Sequence, residues 1–252
     1  ELNAYRYEVQ ALRQEVDLYR MRLRYLEKWQ QEFRGPMGAI VGFPLLMLED
    51  VAEPFQREAL EAIHDSGNIL LQTVQDFFTY ISAESGQMEV HSLPIEVAYI
   101  MEEAMMLPRK LAAERDIELR YQIDESVPHT VDTSRNIARQ IISHLVSHAV
   151  KSTSEGHVHI QLSTVHNHRS GCDELHIIIK DTGAGYHPVA LRKLQGLFEQ
   201  ADIDQAMFDG LETRLVMCKR LADFINGRIT IESRYQKGTT TTFIVPYAPE
   251  QN

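Results

Sequence analysis

The hydrophobic positions at the start of the chain follow a heptad pattern. Their spacing alternates between three and four residues, and charged side chains fill most positions between them. A period of 3.5 residues with charged flanks is typical of a supercoiled helix that pairs with a partner helix. We therefore predict a parallel dimeric coiled coil over residues 1–28; a single amphipathic helix packed on its own domain is the alternative. The positions that carry the pattern are Leu2, Tyr5, Val9, Leu12, Val16, Tyr19, Leu23 and Leu26.

Two helical segments are predicted within residues 29–90. The first contains Pro36 and Pro44, each of which removes a backbone donor and should bend the helix. Pro54 opens the second segment after a short acidic turn, and this segment should stop near Ser85 and Gly86. The short connection predicts an antiparallel helical hairpin, and two copies of it would form a four-helix bundle.

Helical and alternating segments are mixed over residues 91–252. We predict helices over 97–113, 134–152 and 211–225, the last ending at Asn226 and Gly227. We predict strands over 117–123, 157–165, 174–179, 228–233 and 240–245. About five strands with helices on them predict a two-layer α/β sandwich, so the fold class of the chain is α+β.

Charge and cysteine content narrow the class of protein. Lys and Arg number 25 against 36 Asp and Glu, a net charge of −11, which argues against a nucleic-acid binder. We expect no signal peptide at its start, and the sequence contains no apolar run near the roughly 20 residues of a membrane span. We expect a cytoplasmic piece of a longer protein, attached to a membrane only through upstream segments. Cys172 and Cys218 form neither a disulfide framework nor a zinc motif.

Three motifs, taken in order, resemble the core of a sensor histidine kinase. Residues 31–37 resemble the H-box of that family, residues 181–185 match its Asp-x-Gly-x-Gly box, and residues 219–243 resemble the end of its ATP-binding fold. The resemblance implies a signalling helix, a helical dimerisation and phosphotransfer domain, and an ATP-binding sandwich domain. It also implies a homodimer whose partner is a response regulator or another histidine kinase.

The H-box departs from the family pattern at its reactive position. Gln31 stands where the family has the phosphoacceptor histidine, and a carboxamide does not attack a phosphorus atom. Glu32, Arg34 and Pro36 match the pattern, but Gly35 replaces the threonine that helps to position water. We expect phosphotransfer to be lost in both directions. The alternative is that Gln31 is an engineered substitution.

The segment that resembles the metal-binding N-box has also changed. His144 and His148 occupy the positions of two asparagines that supply oxygen atoms to Mg²⁺ in the family, while Lys151 matches. Imidazole is a poor ligand for this hard cation, so we expect no metal there. The spacing of the two histidines also suits zinc, and a packed or solvated pair is the other reading.

The glycine-rich phosphate loop has kept one of its glycines. The run over residues 210–215 contains Gly210, while Glu212 would bring a carboxylate close to the phosphates. Two unit charges 4 Å apart repel by roughly 4 kcal/mol at an effective dielectric constant of 20, and Arg214 would offset part of this. We expect weak or absent binding of ATP and Mg²⁺ and no resident cofactor.

The Asp-x-Gly-x-Gly box leaves a binding role open. The resemblance implies that Asp181 accepts a hydrogen bond from an adenine amino group, within a loop that contains Gly183 and Gly185. The same motif is also a good turn after a strand. A vestigial pocket for adenine or another planar ligand is therefore one interpretation.

We predict a catalytically degenerate histidine-kinase-like protein with no catalytic residue. It would act as a dimeric conformational switch or scaffold that regulates a response regulator or a partner kinase. One alternative is an active, divergent kinase that uses His64 or a partner's histidine as acceptor. Another is a ligand sensor that uses the remodelled pocket. His157 and His159 alternate on one strand and either sense pH or lie on a solvated face.

Overall fold

The computed structural model describes residues 33, 35–48, 53–84, 92–168, 171–200 and 213–247. The chain divides into two compact units, Glu1–Met88 and Glu89–Asn252. The predicted coiled coil over residues 1–28 lies outside the described residues.

The first unit contains two helices, α1 over residues 35–47 and α2 over Pro54–Glu84. As predicted, Pro54 opens the second helix, because proline is compatible with the first helical turn. The guanidinium group of Arg57 donates to the carbonyl of Leu48 at 3.1 Å, and the ring of His64 contacts the carbonyl of Val41 at 2.8 Å. Later residues of α2 thus meet earlier residues of α1, which makes the pair an antiparallel hairpin.

The hairpin helices approach closely at Gly67. A Cβ atom at this position would lie 3.0 Å from the Cγ2 atoms of both Ile40 and Val41. Such a distance is shorter than an ordinary van der Waals contact, so a side chain here would require Ile40 and Val41 to shift.

The second unit is built on a five-stranded sheet of order β2–β4–β5–β7–β6. Strand β2 runs parallel to β4, and the other neighbours are antiparallel. A separate two-stranded sheet pairs β1 with β3. The elements are β1 (Leu93–Glu96), α3 (Val97–Glu114), β2 (Glu118–Ile123), β3 (Thr130–Thr133), α4 (Arg135–Ser152), β4 (His157–Asn167), β5 (Cys172–Asp181), α5 (Pro188–Gln200), α6 (Thr213–Phe224), β6 (Arg228–Arg234) and β7 (Gly238–Tyr247).

The core lies between the sheet and its helices. Helix α4 packs against β4, β5 and α6. Alternate residues of the strands, such as Ile160, Ile179 and Phe243, are almost fully buried. His157 and His159 lie on the other face of β4, where His157 is exposed and His159 half-buried, so the solvated-face reading fits. No helix within the described part of the chain combines the length and the hydropathy that a membrane crossing requires.

The five predicted strands of the main sheet are confirmed, within a few residues at their ends. The small β1–β3 sheet and helix α5 were not predicted. Strand β1 has only four residues, one of them Pro94, so it shows no alternation that could be read from sequence. The predicted end of α6 is confirmed: Asn226 takes a left-handed φ of 56°, and the amide of Gly227 donates to the carbonyl of Ala222 at 2.8 Å.

Candidate functional site

Asp181, the last residue of β5, holds a buried carboxylate at one corner of the sheet. The carboxylate oxygen Oδ1 accepts hydrogen bonds from the amides of Gly183 at 2.9 Å and Thr239 at 3.1 Å. Among the described residues no donor reaches the other oxygen, Oδ2. Burial raises the pKa of this carboxyl, while the two amides and His148 oppose the rise. The residue, 9% exposed, thus offers one acceptor atom to a ligand.

The two glycines of the box are required by packing against neighbouring backbone. A Cβ atom on Gly183 would lie 2.3 Å from the carbonyl oxygen of Ser152, at the end of α4. Gly185 has a φ of +62°, and a Cβ there would lie 2.3 Å from the carbonyl oxygen of Arg234. The loop is therefore wedged between α4 and the turn that joins β6 to β7, whatever ligand is bound.

The β6–β7 turn completes this corner. The carbonyl of Ala184 accepts a hydrogen bond from the amide of Gln236 at 2.6 Å. Gly238 has a φ of +101°, and a Cβ on it would lie 2.0 Å from the carbonyl oxygen of Asp181. The loop and the turn are held as one unit, which fixes the position of the Asp181 carboxylate.

Helix α4 brings His148 to the site, where it contacts Tyr186. The Tyr186 hydroxyl lies 3.0 Å from Nε2 of His148, and the two rings are nearly parallel, at 7°. The amide of Tyr186 donates to Oγ of Ser233 at 2.8 Å, which anchors the tyrosine to β6. Sequence reasoning missed Tyr186, although its place directly after Gly185 was a usable signal.

The residues present do not fit the magnesium ion that the resemblance implies. Mg²⁺ prefers oxygen ligands in a near-octahedral arrangement. The N-box position offers an imidazole nitrogen instead, and Nε2 of His148 is already engaged with the Tyr186 hydroxyl. His144 lies one turn earlier on α4 and is half-buried. Within the described residues no three His, Cys, Asp or Glu side chains converge on a possible metal position.

Lys151, near the end of α4, is influenced by the charges of two arginines. Burial lowers the pKa of the Lys151 ammonium group, and the nearby charges of Arg214 and Arg115 lower it further. Lys151 lies in the last turn of α4 and Arg214 in the first turn of α6.

His64 is tied between the two helices of the hairpin. Its Nδ1 donates to the carbonyl of Val41 at 2.8 Å, and Nε2 accepts from the amide group of Asn68 at 3.0 Å. A phosphoacceptor must present a free ring nitrogen to the phosphorus atom. The arrangement therefore argues against the alternative in which His64 is the acceptor.

Several predicted site residues lie outside the described part of the chain. They are Gln31, Glu32, Arg34, Gly210 and Glu212. Gly35 and Pro36 are exposed at the start of α1, and a Cβ on Gly35 would meet nothing within 4 Å. The expectations for the H-box and the phosphate loop stay predictions.

The sequence matches one family model and a group of curated relatives. Residues 133–249 match the model of the histidine kinase-, DNA gyrase B- and HSP90-like ATPases. Histidine kinase 5 of Arabidopsis thaliana is 27% identical over 243 residues, which are 88% of this chain and 26% of that protein. Signal transduction histidine-protein kinase BarA of Escherichia coli strain K12 is 27% identical over 227 residues, 89% of this chain and 24% of that protein. This chain thus spans about a quarter of the length of these relatives.

Solved structures match the fold. Full-length ShkA, crystallised in complex with AMPPNP, superposes with a TM-score of 0.67 at 22% identity and covers 91% of this chain and 47% of its own. The histidine kinase AdeS of Acinetobacter baumannii superposes with a TM-score of 0.55 at 14% identity, and the match covers 86% of this chain and 98% of that protein's chain. The family model thus matches residues 133–249, and the curated relatives that match most of this chain are histidine kinases.

Proposed function

We propose that this chain is the degenerate core of a histidine-kinase-like signalling protein, a pseudokinase of a two-component system. It acts as a dimeric conformational switch or scaffold and not as a phosphate donor. The observation that carries the proposal is the contact of His148 with Tyr186 at the position where the family places a metal-binding asparagine. That contact replaces an oxygen ligand by a nitrogen atom that already has a partner.

The chemistry of phosphoryl transfer needs two things that this chain lacks. The acceptor must be a nucleophile, and Gln31 offers only a carboxamide. The donor phosphates need metal ions that neutralise their developing charge. These two deficiencies lie in different parts of the chain, so restoring one of them does not restore the reaction.

The hairpin is the part that we expect to bind other chains. Side chains of α1 and α2 expose large apolar surfaces, among them Phe43 at 64%, Leu46 at 63% and Phe55 at 74%. Exposed apolar patches of this kind are typical of interaction surfaces. A second copy would bury them in a four-helix bundle, and a response regulator would dock near residues 33–42. If the free energies of two bundle packings differ by only a few kcal/mol, a signal can switch the protein between them.

A phosphotransfer assay tests the loss of activity. The folded chain is incubated with γ-labelled ATP and Mg²⁺, alone and as the variant Gln31→His. We expect no label on either protein, because the second variant still lacks the metal ligand. Label on the unmodified chain that disappears in Asp181→Asn would contradict the proposal.

Light scattering at micromolar concentration tests the dimer. We expect a mass twice that of the chain, whose single copy is 28.9 kDa. A monomer at this concentration would contradict the bundle. The matched variants are Phe55→Ser, on the exposed face of α2, and Val189→Ser, exposed on α5, of which only the first should weaken the dimer.

A second function, ligand sensing, is favoured by the Asp181 corner. A carboxylate whose Oδ2 atom accepts no hydrogen bond from the described residues is suited to a small polar ligand that donates one. A ligand that binds there would bias the switch through its differential affinity for the two states.

A further inference from the structure

We infer that Arg57 and His64 of α2 act together as a splint that fixes the course of α1 across Pro44, and that the hairpin changes shape at this point. The inference rests on the proposed function and assigns its switching step to named side chains. Both are positioning residues, because they act through the backbone of α1.

Helix α1 lacks one backbone hydrogen bond at Pro44. Proline has no N–H group, so the carbonyl of Ile40 receives no bond from the residue four positions later. The helical pattern resumes beyond it, where the amide of Leu48 donates to the carbonyl of Pro44 at 3.0 Å. Residues 35–43 and residues 44–48 thus form two arms with a weak point between them. Sharp helix bends occur at such prolines.

Helix α2 holds one carbonyl group on each arm. Nδ1 of His64 donates to the carbonyl of Val41 at 2.8 Å, and the guanidinium group of Arg57 donates to the carbonyl of Leu48 at 3.1 Å. The two donors are seven residues apart on α2, and the two acceptors are seven residues apart on α1, so each pair lies on one face of its helix. Seven helical residues rise about 10 Å. The two contacts therefore bridge the weak point, with Pro44 between them.

The grip of His64 depends on its two neighbours in the next turn of α2. A Cβ atom on Gly67 would lie 3.0 Å from the side chains of Ile40 and Val41, so the helices come closest just before the weak point. Nδ2 of Asn68 donates to Nε2 of His64 at 3.0 Å, which keeps the proton of the ring on Nδ1. The ring is therefore oriented to donate to α1.

The splint is strong enough to bias the hairpin and weak enough to be released. While both contacts are made, the two arms of α1 are held in one relative orientation. The net contribution of one hydrogen bond is small, so its loss changes the populations of two packings by about five- to tenfold and leaves the hairpin folded.

Amide hydrogen exchange on the full 252-residue chain tests the inference. His64→Leu removes the donor and keeps an apolar side chain. We expect the amides of residues 45–48 to exchange about five- to tenfold faster, while those of residues 72–80 in α2 and of α4 keep their rates. Unchanged rates at residues 45–48 would overturn the inference. So would an equal increase throughout the hairpin, which would show a general loss of packing.

A second substitution separates a splint from an ordinary contact. Pro44→Ala restores the N–H group that the carbonyl of Ile40 lacks. In that background His64→Leu should change the exchange of residues 45–48 by less than about twofold. Equal effects of His64→Leu in the two backgrounds would contradict the splint, because an ordinary contact stabilises both chains alike.

A conservative variant and a matched control complete the test. His64→Asn keeps a donor near the place of Nδ1 and should restore most of the protection. Glu61→Gln changes an exposed residue three positions before His64 and should leave the rates unchanged. If His64→Asn exchanged as fast as His64→Leu, the bond to Val41 would not be the cause.

Failure of this inference is distinct from failure of the proposed function. Unchanged exchange rates in a chain that forms a dimer and transfers no label would end the splint alone. A monomer by light scattering, or label transferred from ATP, would contradict the proposed function whatever the exchange rates show.

Discussion

The two ends of the candidate site differ in how they are built. At the Asp181 end, the loop that matches the family pattern is packed against the backbone of two other segments, α4 through Gly183 and the β6–β7 turn through Gly185. At the His148 end, the departure from the pattern is a contact between two side chains. The Asp181 end therefore serves both the fold and any ligand, whereas the His148 end can change its chemistry without disturbing the backbone. Agreement with a family motif is weaker evidence for ligand binding where packing already demands the same residues.

The largest effect is expected at the Asp181 end. Gly183→Ala would place a Cβ atom 2.3 Å from the carbonyl oxygen of Ser152, and backbone cannot move aside as a side chain does. We expect the free energy of unfolding to fall by about 3 kcal/mol, measured by chemical denaturation.

A glycine elsewhere in the same unit provides the control. Gly196 lies within α5, and a Cβ on it would meet nothing within 4 Å. Gly196→Ala should stabilise the chain by about 0.5–1 kcal/mol, because alanine favours the helix. If Gly183→Ala and Gly196→Ala changed the free energy of unfolding by the same amount, the close packing at Gly183 would not explain the stability of the Asp181 end.

A smaller effect is expected at the His148 end. Tyr186→Phe removes the hydroxyl that contacts His148 but keeps the ring. We expect a loss of about 1 kcal/mol in the free energy of unfolding, the usual value of one net hydrogen bond. A double-mutant cycle with His148→Asn measures whether the two side chains are coupled. If Tyr186→Phe lowered the free energy of unfolding as much as Gly183→Ala does, the contact of Tyr186 with His148 would also be required for the stability of the fold.

Asp181→Asn should stabilise the folded chain at neutral pH. Burial raises the carboxyl pKa above its ordinary value of 3.8, so the ionised form costs stability in the folded state. The protonated carboxyl stabilises the folded state fully below that ordinary value, and this stabilisation is lost as the pH rises through the pKa of the folded state. We expect a Tm about 1–2 °C higher for the asparagine variant at pH 7 and no gain near pH 3, by calorimetry. A lower Tm at pH 7 would show that the carboxylate is needed by the fold.

The smallest effect is expected for an ion pair that is remote in sequence from both the Asp181 end and the His148 end of the candidate site. Hydrogen bonds from Arg109 and then Tyr121 lower the pKa of Glu102 from 4.5 to about 2. The stabilisation is therefore present above pH 4.5 and is lost as the pH falls towards 2. Because the pair is half-exposed, Glu102→Gln should cost about 0.5 kcal/mol at pH 7 and almost nothing at pH 2. Glu125→Gln, in the exposed turn after β2, is the matched control.

Sequence reasoning succeeded where the pattern is long. The alternation over β4 and the apolar run of β5 predicted the centre of the sheet, and Asn226 with Gly227 predicted the end of α6. Strand β1 was missed because its four residues gain their partner from β3, far along the chain. The hydrophobic pattern of a short segment does not show which distant segment it pairs with.

The site was predicted in parts. The motif located Asp181, and the substitution at His148 was recognised from the spacing of the N-box. The contact of His148 with Tyr186, and the role of Thr239 as a donor to Asp181, depend on segments that only the folded sheet brings together. These contacts decide the chemistry of the site, and no spacing in the sequence encodes them.

The hydrogen bond from Thr239 to Asp181 also gives the site a spectroscopic reporter. The Thr239 amide lies on β7, and its proton points at the same oxygen that the Gly183 amide uses. A change in the charge of the carboxylate, through protonation or a ligand, alters the polarisation of both N–H bonds. The NMR chemical shifts of these two amides should therefore move together when the corner is occupied. Two resonances from different parts of the chain would then report the charge state of one side chain, Asp181.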